Sequence, residues 1–185
     1  ISKSFILKEV ELECVKKPDD EIIALFSKIT DKSPSKRTVI ELEWIFQYPW
    51  LVSSPKGDRI GEKYFFSSSP KRFEQYIIKV SKKSELLGFL MINDTDGYIS
   101  TPYIYCNEKD SNIFAKILLR HAARVGASRL TTYHEQIAKE LKGLWPFGWL
   151  SLSQQRNFFA TNEVVNEFGE SSLPFLEGDG DCAFV

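Results

Sequence analysis

Residues 85–132 read ELLGFLMINDTDGYISTPYIYCNEKDSNIFAKILLRHAARVGASRLTT, and the order of elements within them decides the fold. Residues 86–92 are a short, almost wholly apolar run between polar segments, which predicts a buried strand. Asn93-Asp94-Thr95-Asp96-Gly97 predicts a turn, its Asp-Gly pair favouring tight reversal. Residues 98–106 predict the next strand. Ile113, Phe114, Ile117, Leu118 and Val125 then recur at helical spacing, with Lys116, Arg120 and Arg124 on the opposite face. This predicts a helix over 111–126, capped by Asp110 or Ser111 and closed by Gly126. Residues 128–133 predict a further strand. Antiparallel strands followed by a strand–helix–strand crossover argue for a mixed α/β sheet.

Upstream, residues 4–15 alternate as an opening strand that Lys16-Lys17-Pro18 ends. Asp19 and Asp20 supply a cap and first-turn acids for a helix over 20–29, whose stripe is Ile22, Ile23, Leu25, Phe26 and Ile29. A second helix is predicted over 38–48, with Val39, Leu42, Ile45 and Phe46 inward and Pro49 stopping it. Strands are predicted at 63–67 and 73–81, the latter joined to 86–92 by the polar turn Lys82-Lys83-Ser84. Downstream come a short helix over 136–141, two pieces of a bent strand at 150–154 and 158–161, and an edge strand at 183–185.

A chain of 185 residues fits one domain spanning its whole length and can bury a core without covalent staples. The 14 Phe, 7 Tyr and 4 Trp point to a well-filled core. The net charge of −1 gives no electrostatic case for a nucleic-acid partner. Cys14, Cys106 and Cys182 are odd in number, widely spaced and not grouped with His, so neither a disulfide framework nor a metal site is indicated. Reduced thiols fit a cytoplasmic protein. No apolar run approaches the roughly 20 residues of a membrane helix. The chain begins with Ile1, and Met91 is its one methionine, which reads as a piece of a longer protein.

The succession of strand, two helices, three antiparallel strands, long helix, strand, helix and two strands resembles the GNAT superfamily of acyl-CoA-dependent N-acyltransferases, from about residue 4 to residue 185. Glu43-Trp44 to Tyr48-Pro49-Trp50, with the closing Gly178-Asp179-Gly180-Asp181-Cys182, also resembles the carboxy-terminal halves of some bacterial tandem GNAT-like proteins. The resemblance implies a mostly antiparallel mixed sheet flanked by helices. It also implies coenzyme A or acetyl-CoA as cofactor, and acyl (acetyl) transfer to a small-molecule or peptide amine.

In that family the fourth strand runs into a Gln/Arg-x-x-Gly-x-Gly/Ala loop. The loop's amides, with the amino end of the next helix, bind the coenzyme A pyrophosphate. The matching stretch here is Cys106-Asn107-Glu108-Lys109-Asp110-Ser111-Asn112, which has no glycine. Glu108 and Asp110 place negative charge where the pyrophosphate would sit, and Lys109 alone favours an anion. The resemblance makes Tyr105, Cys106, Lys109, Ser111 and Asn112 the cofactor candidates. Tyr103 is the groove candidate on the strand whose backbone would hold the acyl amide. Tyr133 and His134, after the next strand, are the acid/base candidates facing the departing thiolate.

Each candidate has a plainer reading. His134 can simply begin a helix, Cys106 can be a buried thiol with no partner, and Tyr103 or Tyr105 can pack. His121, at the border of the long helix's apolar face, reads as a hydrogen-bonded core-edge residue. The alternating Glu177, Asp179 and Asp181 read as a turn rather than a calcium loop. Trp145-Pro146-Phe147-Gly148-Trp149 could cover a groove, dock against another domain or fill the sheet's edge. Two functions therefore stand at this point. One is an N-acyltransferase. The other is a non-catalytic partner or regulatory module of a tandem protein, lacking coenzyme A binding. A third relation, to the aminoacyl transferases of peptidoglycan synthesis, would need a basic surface for transfer RNA that the composition does not offer.

Overall fold

The computed structural model describes residues 10–30, 37–48, 51, 53, 70–144, 151–153, 161–163 and 166. The elements are β1 (Val10–Val15), α1 (Asp20–Thr30), α2 (Val39–Gln47), β2 (Phe73–Lys82), β3 (Glu85–Thr95), β4 (Tyr98–Ser100), β5 (Ile104–Cys106), a 3₁₀ turn (Glu108–Asp110), α3 (Ser111–Val125), β6 (Arg129–Thr131) and α4 (Glu135–Gly143). The six strands form one sheet in the order β1-β2-β3-β4-β6, with β5 also paired to β3. Every pairing is antiparallel except β4 with β6, which is parallel and is made through α3. The fold is thus a mixed, mostly antiparallel GNAT-like α/β sheet flanked by helices.

Period-two alternation along the central strands divides the core into two layers. Tyr76, Ile78 and Val80 of β2 and Leu90 and Ile92 of β3 face Phe114, Ala115, Ile117 and Leu118 of α3 and Ile137 of α4. Ile77, Phe89, Met91 and Tyr103 face Ile22 and Phe26 of α1 and Leu42 and Ile45 of α2. Both faces of β3 are covered, in keeping with the continuous apolar run over its residues 86–92.

Local chemistry accounts for the boundaries. Asp19 Oδ1 accepts from the Ile22 amide at 3.0 Å and starts α1. Thr38 and Glu41 form a capping box at α2, the Thr38 amide donating to Glu41 Oε2 at 2.6 Å and the Glu41 amide to Thr38 Oγ1 at 3.4 Å. Gly126 closes α3 in the left-handed region at φ 70°, and the Ala127 amide reaches back to the Ala122 carbonyl at 2.9 Å.

Several expectations need correction. The turn after β3 is only Asp96-Gly97, and Asn93, Asp94 and Thr95 belong to the strand. Those polar residues stay in the sheet because they are paired. Asn93 Oδ1 accepts from Gln75 Nε2 at 2.9 Å, and Asp94 accepts from Arg72 Nη2 at 2.6 Å and from the Gly97 amide at 3.0 Å. The strand expected over 98–106 is two short strands, β4 and β5, interrupted at Thr101-Pro102-Tyr103. Pro102 has no amide to donate, and the edge is carried across the break by the Met91 amide donating to the Tyr103 carbonyl at 2.9 Å. Neither Asp110 nor Ser111 caps α3 with its side chain. A 3₁₀ turn leads in, and Ser111 Oγ donates back to the Glu108 carbonyl at 2.7 Å. Residues 151–153 have no regular structure, against the strand expected at 150–154. The expected strands at 63–67 and 183–185, residues 158–160 of the strand expected at 158–161, residues 4–9 of the first strand, the Trp145–Trp149 cluster and the acidic 177–182 stretch lie outside the described residues; residue 161 has no regular structure.

Candidate functional site

The sheet opens at β5. β4 pairs with β3 on one side and β6 on the other, whereas β5 pairs, among the described strands, with β3 alone. The Thr101 hydroxyl donates to Thr132 Oγ1 at 2.9 Å and closes the seam just past the last β4–β6 pair. Beyond it β5 leads to the start of α3 and residues 132–134 lead to α4, with no strand pairing between them among the described residues. This mouth is where the candidate residues were expected to meet.

The structure divides them between the two faces of the sheet. Tyr103 is fully buried on the α1–α2 side, edge-on to Phe26 with ring centroids 5.0 Å apart. It fills the core there and lines no open groove, which corrects its expected place. Tyr105 packs, half-buried, against the same layer. Cys106, Ser111, Asn112 and His134 lie on the α3–α4 side, and Lys109 is exposed in the 3₁₀ turn. Tyr133 is half-buried between β6 and α4.

Cys106 and His134 do meet, with Sγ 3.9 Å from Nε2 across the mouth. Sequence reading found no partner for Cys106, because the two residues are joined only by the parallel β4–β6 pairing. The signal available was that each lies at or just beyond the end of a strand whose neighbours run side by side. The pair is poorly arranged for nucleophilic catalysis. Nδ1 of His134 accepts from the Ile137 amide at 3.4 Å and caps α4, so the neutral ring carries its proton on Nε2 and offers the sulfur a donor, not a base. Burial, with Asp110 adding to it, pushes the Cys106 thiol up to about 11. Burial also holds the His134 imidazole below its ordinary value, with Glu135 acting against it. These shifts disfavour a thiolate–imidazolium pair.

The amino end of α3 is equally committed. The Asp110 amide donates to the Asn107 carbonyl at 2.9 Å, and the Ser111 amide donates to the Glu108 carbonyl. Asn112 Nδ2 donates to Glu140 Oε2 of α4, a contact with no sequence signal that brings a carboxylate of α4 to the first turn of α3. Asp110 Oδ2 is buried and finds no hydrogen-bond donor among the described residues. A diphosphate at this helix start would find the Asp110 and Ser111 amides already bonded and the acids Glu108 and Asp110 in the same turn, with Lys109 as its cation. The residues present do not fit the coenzyme A diphosphate.

Other polar groups in the fold have structural partners. Tyr76 Oη lies 2.6 Å from His121 Nε2, tying β2 to α3. Lys79, almost fully buried, donates to Asp19 and Glu21 at 2.6 Å each. Among the described residues no group of three His, Cys, Asp or Glu is placed to hold a metal, and no helix is long and apolar enough to cross a membrane. Comparison with protein-family models, with characterised proteins and with solved structures returns no match to this chain.

Proposed function

We propose that this chain is a GNAT-like domain that serves an acyl-CoA-dependent N-acyltransferase as a partner module, the coenzyme A being held by another GNAT-like domain rather than by the start of α3. The observation that carries this reading is the state of that helix start. The Asp110 and Ser111 amides are bonded to the Asn107 and Glu108 carbonyls, Glu108 and Asp110 are acids of the same turn, and Glu140 accepts from the Asn112 side chain. A helix start binds a phosphate when its amides point outward unpartnered and the local charge is neutral or positive. The Asp110 and Ser111 amides fail the first condition, and the acidic side chains of Glu108 and Asp110 in the same turn work against the second. Two-dimensional amide spectra recorded with and without acetyl-CoA test the reading. Unmoved resonances for residues 107–113 support it, and shifts at Ser111 and Asn112 overturn it.

A second reading rests on the opening at β5. Among the described strands β5 pairs with β3 and not with β6, and Tyr133, half-buried, follows β6 on that side. On this reading the chain itself is the N-acyltransferase acting on a small-molecule or peptide amine, with Tyr133 as the proton donor. His134 would have to give up its cap to take part.

A further inference from the structure

The contacts of His134 point beyond an acid/base role. Its Nδ1 accepts the Ile137 amide in the first turn of α4, and its Nε2 faces the Cys106 thiol of β5. Its own amide donates to Thr132 Oγ1 at 3.3 Å, and Thr132 is tied to Thr101. One imidazole therefore holds the start of a helix and spans the mouth beside a strand edge.

Strong caps are side chains that remain acceptors at every physiological pH, which is why Ser, Thr, Asp and Asn dominate this position. Histidine is an acceptor at Nδ1 only while neutral. A second proton places an N–H on Nδ1, aimed at the N–H of Ile137. Two donors then face each other. The new positive charge also sits at the positive end of the helix dipole. The titratable groups around the ring do little to relieve this. Cys106 on β5 is a neutral thiol, itself faced by Asp110 at the start of α3. Glu135, in α4's own first turn, is exposed to solvent, and Glu140 is engaged by Asn112 of α3.

We propose that His134 is a proton-operated clasp: neutral, it caps α4 and bridges to Cys106; protonated, it releases the first turn of α4 and uncovers the β5 edge. His121 provides a contrast within the same fold. Its partner is a tyrosine hydroxyl, which can accept from a protonated ring as readily as it donates to a neutral one, so protonation there need not break the contact. The clasp goes beyond the proposed function and stands whether or not coenzyme A binds.

The test is amide hydrogen exchange at Ile137, corrected for intrinsic rate and followed from about pH 7 to pH 5 alongside the His134 ring resonances. As His134 titrates, protection at Ile137 is expected to fall about five-fold, the size of losing one helix cap. His134→Asn keeps an acceptor that does not titrate, and its Ile137 protection is expected to stay level over the same range. Constant protection in the native chain while the ring titrates overturns the proposal. So does an equal fall in His134→Asn, which would place the switch elsewhere.

Discussion

Gly88 is the residue on which the placement of β5 turns, and replacing it with alanine should unseat that strand. Gly88 of β3 sits opposite Cys106 of β5 and beside Val80 of β2, next to the irregularity in the β2–β3 register. A Cβ at this position would lie 1.9 Å from the Tyr105 carbonyl oxygen and 2.9 Å from Phe114 Cζ, whereas ordinary contact begins near 3.4 Å. The Phe114 ring can yield, but the Tyr105 carbonyl is backbone and can move only if β5 leaves β3. Forcing a methyl into a packed core costs about 1–3 kcal/mol. A clash with backbone belongs at the top of that range, and each β3–β5 hydrogen bond lost adds roughly 1 kcal/mol. A total near 4 kcal/mol corresponds to a fall in Tm of roughly 10 °C for a chain of this size. Thermal unfolding of Gly88→Ala followed by circular dichroism measures it. A Tm within about 2 °C of the parent would mean that β5 is not seated where the structure has it, and the mouth beside it would have to be redrawn.

The β2–β3 turn carries Lys83 at φ 51° and Ser84 at φ 63°, so Lys83→Asn with Ser84→Gly should stabilise the chain by about 1–2 kcal/mol; an unchanged or lower denaturation midpoint would contradict the left-handed turn. Lys79→Met should leave stability within about 1 kcal/mol of the parent or raise it. Asp19→Asn with Glu21→Gln should instead cost roughly 1–3 kcal/mol by leaving the ammonium only the more distant Glu13 carboxylate at 3.9 Å, less than a fully buried pair because both lost carboxylates reach solvent, and denaturant titration separates the two outcomes. Burial holds His121 and His134 below the ordinary histidine value. Below about pH 6.5 the unfolded chain then takes up protons that the folded chain refuses, so stability should decline as pH falls through that point. A second decline should appear below about pH 4. Desolvation of Asp19 is outweighed there by its bonds to Lys79 and the Ile22 amide, and Glu41 is held low by its bonds to Thr38; this stability is present above the unfolded carboxylate value and lost as pH falls through the folded one. Flat stability from pH 7 to 5 would contradict the histidine part.

What was legible in the sequence was whatever is decided locally. The apolar stripe of α3, its Gly126 stop, the Asp96-Gly97 reversal and the Pro49 stop after α2 each rest on a few neighbouring residues, and the order they impose leads to the mixed sheet. Asp94 was misplaced in a turn because its partner, Arg72, is 22 residues away, and no periodicity reports a buried carboxylate paired across a hairpin. The split of residues 98–106 hinged on Pro102, which was visible, and on where the predicted crossover pairing ends, at Ser100 with Thr131, which was not. The site was harder still. Cys106 with His134, and Asn112 with Glu140, are long-range pairs made by bringing strand and helix ends together, so residue type alone could name the members but not the couples. Tyr103 looked like a groove residue by its place on the strand. Alternation sent it to the other face, where Phe26 fills the space beside it.

The most direct measurement is a calorimetric titration of the chain with acetyl-CoA, followed by free coenzyme A. With the Asp110 and Ser111 amides bonded and Glu108 and Asp110 in the same turn, no binding is expected up to about millimolar ligand, roughly −4 kcal/mol. A micromolar Kd would contradict a closed helix start and return the chain to the N-acyltransferases that act on their own.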